Sequence, residues 1–343
     1  WSEYLNELPL THQDIYYTPQ YYQVYEKNGY GKATCFVFKK NDDIAIYPFL
    51  INSINDLGYE LNDKYFDIQG AYGYNGVITS NASKAFKSVF HEEFNNYCFK
   101  YNIVAEFTRF NPIIKNQNFS DNLNIAQANK DIIVDLNFSE DYTWKNLYDR
   151  SVRKNINKAM RNNLTIKHFN GNQINKNWIN KFKQIYNSTL KRRSADKYYY
   201  FSDNYFTSLN KKMGSNISYF FTQIKDKTIS CELVTYKNNN AYSFLGGTLS
   251  EYFSFRPNEI LKHQIINHLR KEGCKYFCLG GGVSEGDGIY KYKKSFSKNG
   301  ISDFFIGKKI YLNDIYDKIC REWVDKSPEK KDLFSNYLLK YRY

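Results

Sequence analysis

The same order of secondary-structure elements occurs in both halves of the sequence, and this recurrence limits the folds that the chain can adopt. In the first half, turn-forming residues 41–43 separate two strand-like runs, which predicts a hairpin. A helix over about 82–100 has apolar residues on one face, and a strand follows it at 103–107. The short link between that helix and strand is typical of compact α/β units.

The second half repeats this order, since it too begins with a hairpin and ends with a helix followed by a strand. Its predicted elements are strands at 217–224, 229–236 and 242–245, a helix that begins near Pro257 and is stopped by Gly273, and a strand at 275–279. Many mixed folds contain this order, so coincidence is the alternative to duplication. Duplication is the better interpretation, and it predicts two mixed α/β (α+β) domains, residues 1–142 and 143–343.

A basic segment, residues 143–170, connects the two predicted domains. It includes a predicted helix over 143–163 with six Lys and Arg residues, among them Arg153, and only a thin apolar face. A solvated linker helix and a helix that faces phosphate or glycan both agree with this pattern.

The net charge of +13, from 48 Lys and Arg against 35 Asp and Glu, favours partners that carry phosphate. Nucleic acid, coenzyme A, nucleotide sugars and an anionic membrane face all meet that condition. The lysines are spread along the chain apart from short clusters at 191–193, 291–294 and 308–309. Because Asn, Ile and Tyr are also abundant, part of the charge reflects composition, and no DNA partner is predicted.

Six cysteines lie far apart, and only Cys274 and Cys278 are close, without a nearby histidine. This spacing predicts neither a zinc site nor a disulfide framework, so we expect no metal and a reducing, cytoplasmic location. No apolar run approaches the roughly 18–20 residues that a membrane span needs. Because the chain begins at Trp1 rather than Met, we expect further residues before it.

Residues 276–296 combine an apolar strand, three consecutive glycines and a segment rich in lysine and tyrosine. Gly280, Gly281 and Gly282 leave the backbone bare where the strand ends, so a ligand can approach it closely. The lysines and tyrosines that follow suit an anionic or carbonyl-bearing substrate, which predicts one wall of a transferase cleft. A mobile glycine-rich turn is the alternative. A phosphate loop is disfavoured, because the Gly-Lys-Ser/Thr ending is missing.

A series of motifs, each modest alone, is fairly specific in its order. The motifs are Tyr47-Pro48-Phe49-Leu50, Tyr65-Phe66-Asp67-Ile68, Ala71-Tyr72-Gly73-Tyr74-Asn75-Gly76, Glu106-Phe107-Thr108-Arg109-Phe110, Arg153-Lys154-Asn155-Ile156-Asn157-Lys158-Ala159, residues 195–206, Leu245-Gly246-Gly247, Leu279-Gly280-Gly281-Gly282 and Tyr292-Lys293-Lys294-Ser295-Phe296. With them the chain resembles the Gcn5-related acetyltransferase (GNAT) superfamily, and more narrowly its tandem branch of Fem-type peptidoglycan aminoacyltransferases and surface-polysaccharide acyltransferases. The resemblance covers nearly the whole chain. It implies two GNAT-like domains packed side by side, with the reaction centre in the second.

The resemblance also implies that two neighbouring strands of the second domain separate into a V-shaped opening. Unpaired backbone groups there can pair with an extended donor. Residues 242–247 would form one side and residues 275–280 the other. The implied donor contacts are Gly246, Gly247, Arg256, Gly280, Gly281 and Gly282. Acyl transfer in such an opening needs a held acceptor and hydrogen-bond donors for the oxyanion, without a covalent nucleophile.

Functional residues of the family carry over to matching positions in this chain. Lys293 corresponds to the lysine implicated near the transferred carbonyl. The implied substrate contacts are Arg192, Tyr198, Tyr199, Tyr200, Arg153, Tyr292 and Phe296. Asp287 and Glu232 are candidate proton acceptors by chemical type and position, and a helix cap or a surface charge is the alternative role of either.

The resemblance leaves two classes of acyl donor open. Acyl-coenzyme A is expected as donor, although residues 255–259 contain no glycine where GNAT enzymes place their pyrophosphate loop; Arg256 and a helix N-terminus remain for a phosphate. Aminoacyl-tRNA is the alternative, which the positive charge favours. The expected acceptor is an amine or hydroxyl of a bacterial cell-surface glycan or cell-wall precursor, reached with peripheral contact at the inner membrane. A binding protein with a degenerate cleft is the non-enzymatic alternative.

Overall fold

A computed structural model describes residues 1–284 and 286–343 as a mixed α/β protein, which confirms the predicted fold class. The strands are β1 (Lys32–Lys40), β2 (Asp43–Ser53), β3 (Phe66–Gln69), β4 (Ile78–Thr79), β5 (Ile103–Arg109), β6 (Asn124–Asp135), β7 (Leu164–Asn170), β8 (Ile217–Ile224), β9 (Lys227–Lys237), β10 (Asn240–Thr248), β11 (Tyr276–Gly280) and β12 (Ile301–Ile310). The helices are α1 (Ser2–Glu7), α2 (Pro19–Lys27), α3 (Lys84–Lys100), α4 (Glu140–Tyr142), α5 (Arg150–Arg161), α6 (Lys176–Arg192), α7 (Asp203–Met213), α8 (Pro257–Lys271), α9 (Gly288–Lys294), α10 (Asn313–Lys326) and α11 (Lys331–Phe334). Among the helices of the described residues, none combines the length and the apolar character that crossing a membrane requires.

The chain forms two compact units whose limits differ from the predicted boundary at residue 142. The first unit comprises Trp1–His12, Tyr16–Ala128 and Phe304–Tyr343, and the second comprises Gln13–Ile15 and Asn129–Asp303. The C-terminal residues join the first unit because β12 pairs with β5 there over Ile306–Ile310 and Ala105–Arg109. Whether either unit folds as an independent domain stays a prediction.

The first unit contains a sheet in the order β1-β2-β3-β5-β12, with β4 added beside β2. The predicted hairpin is present, and Asn41 turns it with a φ of 56°, a left-handed conformation that asparagine tolerates better than most residues. Phenylalanines at four-residue intervals on α3 bury against Tyr47 and Phe49 of the sheet. The apolar face predicted for this helix is therefore its core face.

The second unit contains a sheet in the order β6-β11-β10-β9-β8-β7. One face is covered by α5 and α8, whose Val152, Ile156 and Leu261 share a buried cluster with sheet residues such as Val234. The opposite face is covered by α6, where the ring of Phe182 lies 5.3 Å from that of Tyr219. Strand β7 ends the sheet, so one of its edges is unpaired in this unit.

The helix predicted over 143–163 is interrupted in the structure. A π-helical turn, Thr143–Leu147, follows α4 and ends at Tyr148, whose backbone is extended at a ψ of 139°, and α5 begins only after Asp149. Residues 164–170, predicted to belong to the connecting helix, form β7 instead. The alternation of apolar Leu164 and Ile166 with polar neighbours is the strand signal that the basic composition obscured.

Candidate active site

Strands β10 and β11 separate after three pairs of residues. They are parallel and paired from Asn240 and Tyr276 to Tyr242 and Cys278. Beyond that point the described residues of the two strands no longer pair with each other, while β10 stays paired with β9 as far as Thr248. A wedge-shaped opening therefore begins after Tyr242 and Cys278, which is the separation that the sequence led us to expect.

Both strands are irregular where the opening begins. The register of β10 against β9 shifts between Ser243 and Leu245, and the register of β11 against β6 shifts between Cys278 and Gly280. A bulge bends its strand and increases the local twist. Two bulges on adjacent strands at the same level thus explain why these strands diverge.

The three glycines after β11 have different reasons for being glycine. Gly280 has a φ of +71°, and a Cβ atom there would lie 3.3 Å from Nζ of Lys293. A Cβ atom on Gly281 would lie 2.6 Å from the carbonyl oxygen of Lys130. A Cβ atom on Gly282 would collide with the carboxylate of Asp287. Gly280 borders the opening, whereas Gly281 packs closely against the chain around residue 130, so the bare exit predicted for all three glycines applies to Gly280.

Helix α9 carries Lys293 to the end of β11. The Lys293 ammonium group donates a hydrogen bond of 2.6 Å to the carbonyl oxygen of Gly281. Burial lowers the pKa of Lys293, and the neighbouring charge of Lys262 lowers it further, while the carboxylates of Asp131 and Glu232 oppose this effect. The predicted reactive lysine therefore lies beside the opening in a desolvated environment.

Asp287 has a structural position at the start of the same helix. Its carboxylate accepts hydrogen bonds from the backbone N–H groups of Val283 at 2.8 Å, Ser284 at 3.4 Å and Tyr290 at 2.7 Å. These hydrogen bonds hold the pKa of Asp287 below its usual value, so its carboxylate is a weak base. The structure gives Asp287 the role of a helix cap, which was the alternative to its predicted role in proton transfer.

The candidate proton acceptor Glu232 belongs to a buried polar group along the opening, and its partners there, Lys262 and Ser243, were not predicted from the sequence. Lys262 of α8 is 4% exposed and forms an ion pair with Glu232 of β9, which is 8% exposed. Ser243 donates a hydrogen bond of 2.7 Å to Glu232, and Nζ of Lys262 lies 3.1 Å from the same hydroxyl. Ser243 is the first residue of β10 beyond its last pair with β11, so this group reaches the start of the opening.

Two predicted substrate contacts belong to the protein interior. Phe296 is fully buried, and its ring lies 5.5 Å from that of Tyr148 in the core of the second unit. Arg153 donates hydrogen bonds to the carbonyl oxygens of Trp144 and Tyr148 at 3.0 and 2.7 Å, so it satisfies the carbonyl groups at the end of the interrupted helix. The predictions for Phe296 and Arg153 are therefore corrected to structural roles.

Tyr292 joins α9 to the start of α8. Its hydroxyl donates a hydrogen bond of 3.1 Å to the carbonyl oxygen of Asn258. Burial is the main reason why the pKa of Tyr292 is well above its ordinary value. Tyr292 thus holds the helix that carries Lys293, and the structure gives it a positioning contact rather than an exposed substrate-binding surface.

The far end of β10 brings together several of the predicted contacts. Arg192 donates a hydrogen bond of 2.9 Å to the carbonyl oxygen of Thr248, and its guanidinium carbon lies 4.9 Å from the centre of the Phe253 ring. Gly246 is exposed. Gly247 is packed against α6, since a Cβ atom there would lie 2.8 Å from the carbonyl oxygen of Ile185.

The tyrosines after α6 remain accessible. Tyr198 and Tyr200 are each 41% exposed, and the backbone oxygen of Tyr199 accepts a hydrogen bond of 2.9 Å from Tyr186. Tyr198 and Tyr199 lie on the one-turn helix Lys197–Tyr199, which follows Arg192 by a few residues, and Tyr200 is its C-cap. Accessible aromatic rings near an arginine agree with the predicted substrate contact, which stays a prediction.

The start of α8 does not fit the pyrophosphate of coenzyme A. Arg256 has a left-handed backbone with a φ of 63°, and Pro257 occupies the first helical position, where it supplies no N–H group. The side-chain oxygen of Asn258 accepts a hydrogen bond of 2.8 Å from Ser230. Glu259 in the first turn is 9% exposed and would repel a phosphate. Arg256 is exposed, so its side chain is accessible to a phosphate.

The corresponding strands of the first unit are closed. Strands β3 and β5 pair in parallel from Phe66 to Gln69, and a further bridge joins Asn75 to Phe110. Asn75 adds hydrogen bonds to the backbone of Arg109 in both directions, at 2.7 and 2.8 Å. In the residues that the structure describes, the first unit therefore has no opening like that between β10 and β11.

No cluster of three or more His, Cys, Asp or Glu side chains suited to a metal ion occurs among residues 1–284 and 286–343. The six cysteines are free thiols, and four of them are buried.

Comparison with known proteins gives a family match over part of the chain and a similar fold over most of it. Residues 150–294 match the family described as acetyltransferase (GNAT) domain. The fold is similar to that of FemX, with a TM-score of 0.67 and 11% identity over 92% of this chain and 96% of that chain. It is also similar to the C-terminal domain of a putative lysylphosphatidylglycerol synthetase from Agrobacterium fabrum, with a TM-score of 0.53 and 13% identity over 90% and 92% of the two chains. A search of curated proteins finds no matching sequence. The predicted resemblance in fold is confirmed.

Proposed function

We propose that the chain is an acyltransferase whose acceptor is a bacterial cell-surface glycan or cell-wall precursor, which is supported by the match of residues 150–294 to the acetyltransferase (GNAT) domain family. The observation that supports this reaction most directly is the opening between β10 and β11 with the Lys293 ammonium group beside it. The acceptor would present an amine or a hydroxyl group. A cytoplasmic location is part of the proposal, because activated acyl donors are made there.

The opening suits a donor that carries an activated carbonyl group. The pairing of β10 with β11 ends at Tyr242, so the edge of β10 beyond that residue is where an extended donor would form backbone hydrogen bonds. When the acceptor attacks, the carbonyl oxygen acquires negative charge. The ammonium group of Lys293 is placed to stabilise that charge, and its effect is strengthened by burial.

Ser243 and Glu232 provide a path for the proton that leaves the acceptor. A new bond forms from the acceptor nitrogen or oxygen to the carbonyl carbon, and the bond to the leaving group breaks. The acceptor proton passes to the Ser243 hydroxyl as that hydroxyl gives its own proton to Glu232, across the 2.7 Å hydrogen bond. The same path returns a proton from Glu232 to the leaving oxygen or sulfur, which departs as a neutral hydroxyl or thiol. The ion pair with Lys262 holds Glu232 beside the Ser243 hydroxyl.

The acceptor would bind at the far end of β10. Arg192 and the accessible rings of Tyr198 and Tyr200 would contact its phosphate and sugar groups. Arginine suits this task because its planar guanidinium group binds phosphate through two parallel hydrogen bonds.

The geometry favours aminoacyl-tRNA over acyl-coenzyme A as the donor. At the start of α8, Pro257 and the buried Glu259 replace the glycine turn that would hold a pyrophosphate. Acyl-coenzyme A is the second candidate, because the matching family is described as an acetyltransferase domain.

A direct assay distinguishes the two donors. The purified chain is supplied separately with labelled acetyl-coenzyme A and with tRNA charged with labelled amino acids, each with a nucleotide-linked cell-wall precursor as acceptor. Thiol release is followed in the first reaction and label transfer in the second. We expect label transfer from charged tRNA and no acceptor-dependent thiol release.

Acceptor-dependent thiol release without label transfer from charged tRNA would identify acyl-coenzyme A as the donor, and the chain would still be an acyltransferase. Lys291→Met is a matched control for both reactions, since Lys291 is an exposed lysine of the same helix α9. Absence of transfer from either donor, with a folded protein, would contradict the proposed reaction.

A further inference from the structure

The positive charge of the chain is concentrated in one segment rather than spread as the sequence first indicated. Residues 150–195 contain 12 Lys and Arg and no Asp or Glu. The whole chain has 48 Lys and Arg and 35 Asp and Glu, so the remainder holds 36 against 35. Almost the entire net charge of +13 thus lies in about an eighth of the chain. Composition alone would distribute it evenly.

The structure arranges these cations around one edge of the second unit. The segment forms α5, the edge strand β7 and α6, and the two helices cover opposite faces of the sheet. Ten of the twelve side chains are exposed: Arg150, Lys154, Lys158, Arg161, Lys167, Lys176, Lys181, Lys191, Arg192 and Arg193. We call nine of these residues, all except Arg192, which is assigned to the acceptor, the basic rim.

Helix α5 presents a regular row of the rim. Arg150, Lys154 and Lys158 follow one another at four-residue intervals, and Arg161 lies one turn further. Four residues advance a helix by about 6 Å, so the row has even spacing along its length. Among the described residues none of these four side chains has a carboxylate partner, and each charge is free for a ligand.

The rim continues across the sheet edge to α6. Nζ of Lys167 on β7 and Nζ of Lys181 on α6 lie 5.3 and 4.4 Å from the ring centre of Trp178. The same aromatic ring therefore holds one cation from each element. Cations with a half-buried aromatic ring between them form a surface that suits phosphates and a base face together.

We propose that the basic rim binds the sugar-phosphate backbone of an RNA, which deepens the proposed function because the RNA would be the body of the donor tRNA. An anionic membrane fits the rim less well. Met160 is the one large apolar side chain of the segment that the described residues expose, so little is available to enter a bilayer. Cations on opposite faces of a sheet also cannot all meet one flat surface, whereas a folded polyanion can follow the edge.

Binding of a fluorescein-labelled uncharged tRNA, measured by anisotropy at several salt concentrations, tests the rim. The test variant replaces Arg150, Lys154, Lys158 and Arg161 with Gln. The control variant replaces Lys27, Lys40, Lys64 and Lys84 of the first unit, all exposed, and changes the net charge equally. We expect the Kd of the test variant to rise by at least about tenfold and its salt slope to fall by about 3, as loss of four phosphate contacts requires. The control should stay within about twofold of the parent, because its lysines lie outside the rim.

Equal losses in the test and control variants would overturn the proposal, because they would reflect net charge alone. Binding to vesicles containing phosphatidylglycerol, lost in the test variant while tRNA binding is retained, would assign the rim to a membrane instead. Where the fourfold variant does not fold by circular dichroism, Lys154→Gln with Lys158→Gln replaces it against a double control. The proposed donor can fail independently of the rim. If tRNA binding depends on the rim but charged tRNA transfers no label, only the proposal that tRNA is the donor is refuted. Transfer that survives loss of the α5 row refutes the rim.

Discussion

Lys293 combines two properties that a residue beside a reacting carbonyl group needs. Its ammonium group is held by the carbonyl oxygen of Gly281 at 2.6 Å, and burial lowers its pKa. A desolvated charge interacts more strongly with a developing oxyanion than a hydrated one does. The fixed position also removes the cost of orienting a flexible side chain during the reaction.

Replacement of Lys293 by Met should lower turnover by at least about tenfold, since the charge that stabilises the oxyanion is removed while the volume is kept. Steady-state kinetics with the donor identified above provides the measurement, and circular dichroism verifies folding. Lys291→Met is the matched control and should retain the parent rate. Near-parental turnover in Lys293→Met would remove this residue from the mechanism.

The pH profile provides an independent test of the Lys293 charge. Because its pKa is lowered, activity that needs the ammonium group should decline as the pH rises, earlier than for an ordinary lysine. In Lys293→Arg the guanidinium group stays charged, so the alkaline decline should move to higher pH even where the rate is lower. An identical alkaline limb in both proteins would assign the decline to another group.

Single residues show where sequence reasoning succeeded and failed. The family resemblance implied that Lys293 lies near the reacting carbonyl group; the structure has its ammonium group beside the opening, and its role stays a prediction. The same resemblance assigned Phe296 to the substrate, but the spacing of a motif does not reveal which side chains turn inward, and Phe296 is in the core. Lys262 was missed although it shares the inner face of α8 with Ile266, where a buried charge is itself a signal.

At the level of strands and helices, local patterns were sufficient where neighbours in sequence are neighbours in space. The hairpins and α8 were predicted within a few residues of their observed limits, since turns and caps are local. The interruption at Tyr148 was not predicted, because it depends on burial of that ring against Phe296, far along the chain. Divergence of β10 and β11 was expected from the family resemblance and is explained by the two bulges.

Gly247 determines how closely α6 approaches β10. A Cβ atom at this position would lie 2.8 Å from the carbonyl oxygen of Ile185 and 3.0 Å from Cα of Tyr186, both backbone atoms that cannot rotate away. Gly247→Ala should therefore reduce the free energy of unfolding by about 1–3 kcal/mol. Thermal unfolding measures the change.

Gly288→Ala is the control for this substitution, since a Cβ atom there would contact nothing within 4 Å. It should leave the Tm unchanged or slightly raised, because alanine favours the helix that begins at this residue. If both variants unfold at the parental temperature, α6 can shift away from β10, and the close approach is not a constraint.

The whole molecule is organised by pairings that no local pattern contains. Residues 304–343 follow the second unit in sequence but complete the first, where α10 contributes Tyr316, Ile319 and Trp323 to a core with Ile54 and Val104. A boundary drawn from the repeat places these residues with their neighbours in sequence. Only the pairing of β12 with β5 reveals their position, and apolar periodicity gives no information on which distant strand will be the partner.

Arg342, near the end of the chain, forms an ion pair with a buried carboxylate of the first unit. Its Nε donates a hydrogen bond of 2.7 Å to Asp67, a fully buried carboxylate on β3 to which Tyr341 also donates at 3.0 Å. The second carboxylate oxygen has no hydrogen-bond partner among the described residues. Arg342 is therefore the cation that compensates the buried charge, and burial still raises the pKa of Asp67.

Arg342→Ala should lower the free energy of unfolding by about 3–5 kcal/mol at neutral pH, because the charge of Asp67 is left buried without a counterion. This difference in the free energy of unfolding between the parent and the variant should become smaller as the pH falls. Without Arg342 the folded pKa of Asp67 rises further above its unfolded value, so the variant gains stability on protonation and loses it as the pH increases. Urea unfolding at neutral and mildly acidic pH measures both effects, with the exposed Arg321→Ala as control. A loss that is equal at both pH values would show that Arg342 acts through packing and not through the charge of Asp67.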